Sequence, residues 1–120
     1  LLREMSRTVQ CWNVSVLAQE AGMAALDCRE WLQASAARLH TEKRRFVREL
    51  RRLEVTVFPS EANYILLYSP ADVCGGLLMK NILVRDCSDY PGLGKGYFRI
   101  AVRKPEENGR LVEALREVLS

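Results

Sequence analysis

The sequence predicts an α+β domain in which a mixed or antiparallel sheet of about four short strands has helices packed against it. The first observation is the order of elements: two helices, two strands, a helix, two strands and a closing helix, read from apolar spacing and from β-branched runs between turn residues. The second is length, because 120 residues support one domain with a modest core. The third is composition, since 48% hydrophobic and 28% charged residues are ordinary for a globular protein.

The N-terminal part of the chain is predicted to be helical. Asn13 or Ser15 is the expected N-cap of a first helix. Asp27 and Glu30 have the spacing of a capping box, with aspartate in place of serine or threonine, so a second helix is expected to begin there. Its apolar stripe continues to about Leu53, which gives one long N-terminal helix of about 40 Å. That length exceeds what a compact domain of this size needs, so we expect this helix to bridge to another domain.

The predicted strands are short runs of β-branched, aromatic and aliphatic residues bounded by turn residues. They cover residues 54–58, 62–68, 82–85 and 97–102. The second is almost continuously apolar, which indicates a central strand that is covered on both faces. We also expect a short helix over residues 72–79 and a closing helix that starts at Lys104 with a proline in its first turn.

Two arginines on the last two predicted strands are the candidate binding residues. Arg85 ends the third strand and Arg99 lies inside the fourth, where burial of a guanidinium is costly unless an anion meets it. Strand pairing would bring them close enough for a ligand that carries two anionic groups. Arg85 has a structural alternative, a surface ion pair with Asp86 or Asp89. Asn63, at the start of the second strand, either completes the preceding turn or lies near the ligand.

The basic segment at residues 42–52 has two interpretations. It is either a surface for nucleic acid or another acidic partner, as in a free-standing α+β interaction module, or the solvated face of a helix. Its arginines alternate with the apolar stripe and with two glutamates, and no aromatic stacking platform lies beside it. The net charge of +3 is also too small to indicate nucleic acid by itself. These observations favour the solvated face.

Several other classes of protein are disfavoured. No apolar run reaches the roughly 18 residues of a membrane span, so no membrane partner is expected. His40 is the single histidine, and the sequence shows around it neither a recognisable Ser-His-Asp set nor a spacing typical of a metal site. The four cysteines are far apart without a CxxC pair, which predicts free thiols in a reducing cytoplasm. The chain therefore presents binding groups rather than a catalytic constellation.

Five motifs in order carry a resemblance to a known family. They are WNVS at 12–15, PSEANYILL at 59–67, LVRDC at 83–87, FRIAV at 98–102 and EENGRLVEAL at 106–115. Together they resemble the C-terminal small domain of threonine-phosphate decarboxylases and histidinol-phosphate aminotransferases, which are fold-type I pyridoxal-phosphate enzymes. The resemblance implies a small domain of the aspartate-aminotransferase-like fold over residues 14–120, with residues 1–13 as a linker from a large domain. Cys11 departs from the proline usual there, so this linker is expected to be looser or differently angled.

The resemblance also implies roles for individual residues. Arg99 matches the arginine that binds the α-carboxylate of the substrate, and Arg85 matches the one that contacts its distal phosphate. Asn63 lies in a segment near the site. The Schiff-base lysine and the other groups that hold pyridoxal 5'-phosphate would lie in the large domain, so no catalytic or cofactor-binding residue is expected in this chain. The implied partners are that large domain, a phosphorylated amino acid and a second copy of the parent in a cytoplasmic homodimer.

Short sequence motifs favour one of the two reactions of the family. The sequences RDC at 85–87 and YPGL at 90–93 resemble the decarboxylases, which make aminopropanol phosphate for cobalamin synthesis. Histidinol-phosphate aminotransferases more often have Val-Gly-Thr after the strand arginine. The resemblance therefore favours L-threonine-O-3-phosphate decarboxylase, with histidinol-phosphate aminotransferase or a related transaminase as the alternative.

Overall fold

The computed structural model describes residues 14–120 together with Glu4 and Arg7. The predicted linker therefore lies outside the described residues except for those two, as does the candidate cap Asn13. The chain divides into two compact units, residues 1–35 and 36–120.

The described part of the first unit is helical. Helix α1 is Val16–Asp27, and the Oγ atom of its N-cap Ser15 accepts a hydrogen bond from the amide of Ala18 at 3.3 Å. Ser15 is thus confirmed as the cap. The predicted start of the next helix at Asp27 is wrong, because Asp27 ends α1 and helix α2 begins at Arg29. Only Cys28 separates them, and its carbonyl accepts the amide of Leu32 at 3.0 Å.

The predicted long helix is confirmed, but it ends at Leu50, three residues before the predicted end at Leu53. Helix α2 is Arg29–Leu50, with residues in both units, and its 22 residues correspond to about 33 Å. After Leu50 the amide of Leu53 bonds to the Leu50 carbonyl at 3.0 Å, in the tighter i to i+3 pattern common at helix ends. Phe46 and Leu50 are the buried residues of this helix.

The second unit contains an antiparallel sheet of four strands in the order β1-β2-β4-β3. The strands are β1 Thr56–Val57, β2 Tyr64–Tyr68, β3 Arg85–Asp86 and β4 Tyr97–Ala101. The fold class is therefore confirmed, and the predicted second strand is central. The predicted third strand, residues 82–85, overlaps the observed strand only at Arg85, because the pairing with β4 begins at Arg85 and Arg99. Ahead of β3, the amide of Ile82 bonds instead to the Leu77 carbonyl at 3.0 Å.

One face of the sheet forms the core. Ile65 and Leu67 of β2 and Phe98 and Ile100 of β4 are at most 2% exposed, and they share a cluster with apolar side chains of the helices. The opposite face differs, since Tyr64 is 43% exposed and its partner Ala101 is also exposed. The remaining residues of β2 and β4 on that face are half-buried: Leu66, Tyr68, Tyr97 and Arg99. The expectation that β2 is covered on both faces is wrong for the described residues, because alternation along the strand places only one side in the cluster.

Two further helices complete the second unit. They are α3 Val73–Met79, whose N-cap Asp72 accepts the amide of Gly75, and α4 Pro105–Leu119, whose N-cap position is Lys104, and both were predicted. Gly76 lets α3 approach α4, because a Cβ atom at this position would lie 2.5 Å from a methyl group of Val118. None of the helices in the described part of the chain is long and apolar enough to cross a membrane. The three described cysteines are free thiols.

Candidate anion-binding site

A cleft in the second unit brings together the three residues singled out from the sequence. Asn63, Arg85 and Arg99 all line this opening of about 610 Å³. Arg103 and Arg110 line it as well, and Glu107 is the one acidic residue among the lining residues that the structure describes. The cleft is therefore positively charged, as a site for an anionic ligand requires.

The strand register explains why the two candidate arginines meet. Arg85 and Arg99 are direct partners across the β3–β4 pair, so their side chains leave the sheet on the same face. The pair is continued by a hydrogen bond of 2.9 Å from the amide of Cys87 to the carbonyl of Tyr97. Like charges directly opposite each other destabilise a sheet unless an anion lies between them. The predicted proximity of Arg85 and Arg99 is confirmed.

Arg99 is held by an aromatic ring. Its Cζ atom lies over the ring of Tyr64, 4.5 Å from the centroid, which is a cation–π distance. Among the residues that the structure describes, none forms an ion pair or a hydrogen bond with the Arg99 guanidinium. The side chain is half-buried. Arg99 thus keeps its charge and its N–H donors available to a ligand.

Arg85 has a different environment. Its Nη2 atom donates to Oδ2 of Asp89 at 2.8 Å, and its Cζ atom lies 5.5 Å from the centroid of the Tyr90 ring. A hydrogen bond with Tyr90 is the main cause that raises the pKa of Arg85, and the charge of the Asp89 carboxylate raises this pKa further. Asp86 is engaged elsewhere, since it accepts the amide of Ser88 at 2.8 Å, which lowers the pKa of Asp86. The surface ion pair considered for Arg85 therefore exists, with Asp89 as the partner.

Asn63 has a structural role through its backbone. Its carbonyl accepts the amide of Val102 at 2.8 Å and so extends the β2–β4 pairing beyond its last ladder residues. Its side chain is exposed and has no hydrogen-bond partner among the described residues. This hydrogen bond belongs to the sheet rather than to the preceding turn, so the role of the Asn63 side chain, in the turn or near the ligand, stays a prediction.

Asn108 is a structural residue of the site that sequence reasoning did not single out. It is 1% exposed, and its Nδ2 atom donates to Oε1 of Glu42 at 2.8 Å and to the Arg103 carbonyl at 2.9 Å. Its Oδ1 atom accepts the amide of Arg103 at 3.0 Å. The segment that leaves β4 beside the cleft is thus fixed by one side chain. The available signal was a polar residue on the apolar stripe of α4, where Leu111 and Leu115 follow at helical spacing.

The basic segment of α2 behaves mainly as a solvated and structural helix face. Arg45 donates to Glu42 at 2.6 Å within the helix, and Arg52, two residues beyond the end of the helix, donates to Glu49 at 2.8 Å. The hydrogen bond from Arg45, larger than the opposing effect of burial, lowers the pKa of Glu42. Lys43 donates to the carbonyls of Ser60 and Ala62, which joins α2 to the turn before β2. These contacts support the interpretation favoured from the sequence.

The family assignment rests on nearly the whole chain. The sequence pattern of the family described as aminotransferase class I and II matches residues 1–115. The chain belongs to this family. The aminotransferase match includes β2, β3, β4 and most of α4, and therefore every residue named in the cleft.

Individual relatives of the aminotransferase family agree with this. Threonine-phosphate decarboxylase of Salmonella typhimurium is 41% identical over 123 residues, which cover 99% of this chain and 34% of the relative. Histidinol-phosphate aminotransferase 1 of Archaeoglobus fulgidus is 40% identical over 107 residues, or 88% of this chain and 33% of the relative. The crystal structure of L-threonine-O-3-phosphate decarboxylase from Porphyromonas gingivalis matches with a TM-score of 0.73 and 26% identity, over 97% of this chain and 38% of that one.

These comparisons confirm both the resemblance and the aminotransferase-like fold. They also show that the chain spans about a third of the length of the curated relatives it matches.

Proposed function

We propose that this chain is the C-terminal small domain of a longer pyridoxal-phosphate enzyme and that it binds the substrate. In this proposal residues 14–120 form the domain, and residues 1–13 connect it to a large domain earlier in the same chain. The coverage of the structural match supports this proposal, because the match includes 97% of this chain but only 38% of the decarboxylase of known structure.

The proposed substrate is a phosphorylated amino acid. Arg99 would take its α-carboxylate, since a guanidinium fork binds a carboxylate through two parallel hydrogen bonds. Arg85 would take the distal phosphate, which must displace Asp89 from an exposed ion pair; such pairs contribute little, so a dianion competes well with a carboxylate. Asn63 is a third candidate contact. The observation that carries the proposal is the direct pairing of Arg85 with Arg99 in a cleft where no described residue is an anionic partner of Arg99.

We place the cofactor site of this proposal in the large domain rather than in the cleft of this chain. Family members use pyridoxal 5'-phosphate, which acts as an electron sink when it is bound. No lysine is among the residues that line the cleft in the described part of the chain. We therefore assign the lysine and the phosphate-binding groups to the large domain. The contribution of this chain is to bind and orient the substrate, and the direction in which Arg99 holds the carboxylate bears on whether that carboxylate is lost.

The reaction we propose is decarboxylation of L-threonine O-3-phosphate to aminopropanol phosphate for cobalamin synthesis, by a cytoplasmic homodimer. The identity of 41% to the Salmonella decarboxylase over 99% of the chain supports this choice. Transamination of histidinol phosphate is the second candidate, favoured by the 40% identity to the Archaeoglobus aminotransferase.

An assay of the longer protein distinguishes the two reactions. The protein is incubated with pyridoxal phosphate and L-threonine O-3-phosphate, with and without 2-oxoglutarate, and both carbon dioxide and glutamate are measured. Carbon dioxide released without the keto acid is the expected result. Glutamate without carbon dioxide would contradict the decarboxylase and make histidinol phosphate the next substrate to test. Absence of both products would contradict the proposed substrate.

A further inference from the structure

We propose that Tyr64 is a positioning residue for Arg99, which it orients through its ring face while leaving every guanidinium donor free for the ligand. This inference rests on the proposed function, because it concerns the arginine to which we assign the substrate carboxylate. It adds a residue to the site and predicts a selective effect on one part of the ligand.

The strand register places Tyr64 and Arg99 on the same face of the sheet. Tyr64 of β2 pairs with Ala101 of β4, and Leu66 pairs with Arg99. Tyr64 and Arg99 are therefore diagonal neighbours, a spacing that long and aromatic side chains can span. The Arg99 Cζ atom lies 4.5 Å from the Tyr64 ring centroid, and both residues line the cleft.

Two other arginines that line the cleft, Arg85 and Arg103, are each held by a carboxylate. Arg85 donates to Asp89 at 2.8 Å and Arg103 to Glu107 at 2.6 Å. A carboxylate orients a guanidinium by occupying its donors and neutralising its charge. An arginine that must bind a substrate carboxylate cannot be held in this manner, because the same fork is then occupied.

A ring face avoids that conflict. The attraction between a cation and an aromatic quadrupole acts on the face of the guanidinium, whereas its five N–H donors lie in the plane. Tyr64 can therefore reduce the number of orientations that Arg99 samples without competing for its hydrogen bonds. Preorganisation of this kind strengthens ligand binding, because less freedom is lost when the ligand arrives.

The chain offers a matched pair of variants. Tyr64→Phe retains the ring, and the hydroxyl makes no hydrogen bond among the described residues, so this variant should bind like the natural protein. Tyr64→Leu removes the ring face but keeps an apolar side chain at a position that is 43% exposed. We expect Tyr64→Leu to weaken binding of the carboxylate by about fivefold, the size of a partly exposed cation–π contact.

The test uses two unreactive analogues that differ in one group. 3-Phosphooxybutanoate carries the phosphate and the carboxylate of the proposed substrate without its amine, and isopropyl phosphate lacks the carboxylate as well. Dissociation constants are measured by titration calorimetry on the longer protein with pyridoxal phosphate bound. Tyr64→Leu should weaken binding of 3-phosphooxybutanoate about fivefold and leave isopropyl phosphate unchanged, while Tyr64→Phe changes neither.

Arg99→Leu separates failure of the inference from failure of the proposed function. If Arg99→Leu removes the preference for 3-phosphooxybutanoate and Tyr64→Leu does not reduce it, Tyr64 has no positioning role and the proposed function stands. Equal weakening of both analogues by Tyr64→Leu would also overturn the inference, because it indicates general damage to the cleft. If Arg99→Leu leaves the preference intact, the assignment of the carboxylate to Arg99 is wrong and the inference fails with it.

Discussion

Arg99 and Arg85 are direct partners in the same sheet, yet their surroundings differ. Arg99 lies on the central strand β4, half-buried, over the ring of Tyr64 and without an ionic partner among the described residues. Arg85 lies on the two-residue edge strand β3, where its side chain is 50% exposed and paired with Asp89. One guanidinium is oriented and available, while the other is exposed and already engaged.

The difference teaches that position in the sheet decides how much an arginine contributes. A half-buried cation that meets an anion forms a stronger contact than an exposed one, because water screens it less. The segment after β4 is also fixed by the buried Asn108, whereas β3 leads into a loop of mostly exposed residues. We therefore expect changes near Arg99 to have larger effects than changes near Arg85.

The largest effect is expected from Arg99→Leu in the longer protein. It should lower kcat/KM for L-threonine O-3-phosphate by about 100-fold, because a bidentate, charge-assisted contact with the carboxylate is lost. Steady-state kinetics measure this, and Arg44→Gln and Arg48→Gln, at exposed positions on α2, serve as matched controls. Full activity of Arg99→Leu together with inactive α2 variants would contradict the site and favour the interaction-module alternative.

The next effect is on stability and concerns the segment that follows β4. Asn108→Ala should lower the free energy of unfolding by about 2 kcal/mol, because it leaves Glu42 and the backbone of Arg103 without their buried partner. Urea denaturation measures it. Glu113→Ala, at an exposed position on the same helix, should change stability little. Equal stability of the Asn108 and Glu113 variants would mean that β4 is no better anchored than β3.

Acid should remove part of that anchoring. The folded-state pKa of Glu42 is lowered, chiefly by its hydrogen bond from Arg45, so the unfolded chain binds this proton more readily. The ionised Glu42 carboxylate contributes fully to the free energy of unfolding above the unfolded-state pKa, which is about 4.3. This contribution is lost as the pH falls through the lower folded-state pKa. Urea denaturation measured across this pH range should show that the free energy of unfolding decreases as the pH is lowered. Glu42→Gln should reduce the slope, and an unchanged slope would contradict the assignment.

The smallest effect is expected at the edge strand. Asp89→Asn should strengthen binding of isopropyl phosphate by about twofold, because the carboxylate that competes for Arg85 is removed and an exposed ion pair contributes little. Titration calorimetry of the longer protein measures it. The substitution should have no effect when Arg85 is already leucine. A gain that persists in that double variant would show that Asp89 acts on another cation.

Much of the fold and part of the site could be predicted from the sequence, because the relevant patterns are local. Alternation along β2 and β4, the cap at Ser15 and the proline after Lys104 depend on a few neighbouring residues. The proximity of Arg85 and Arg99 also followed, because two short strands joined by a loop of turn residues pair with each other. Prediction from local patterns failed at Asp27, which was expected to start a helix and instead ends one. A single residue, Cys28, separates the two helices, and the capping-box spacing does not show on which side of it each helix ends.

The sequence by itself therefore determined the fold class, the order of elements, the family and the two arginines that meet. Only the tertiary structure decided which arginine is available, because that depends on partners brought by register and packing. Tyr64 reaches Arg99 through the pairing of β2 with β4, and Asn108 meets Glu42 across 66 residues of sequence. Local patterns follow from backbone geometry within a few residues, whereas such contacts exist only when all the elements pack at once.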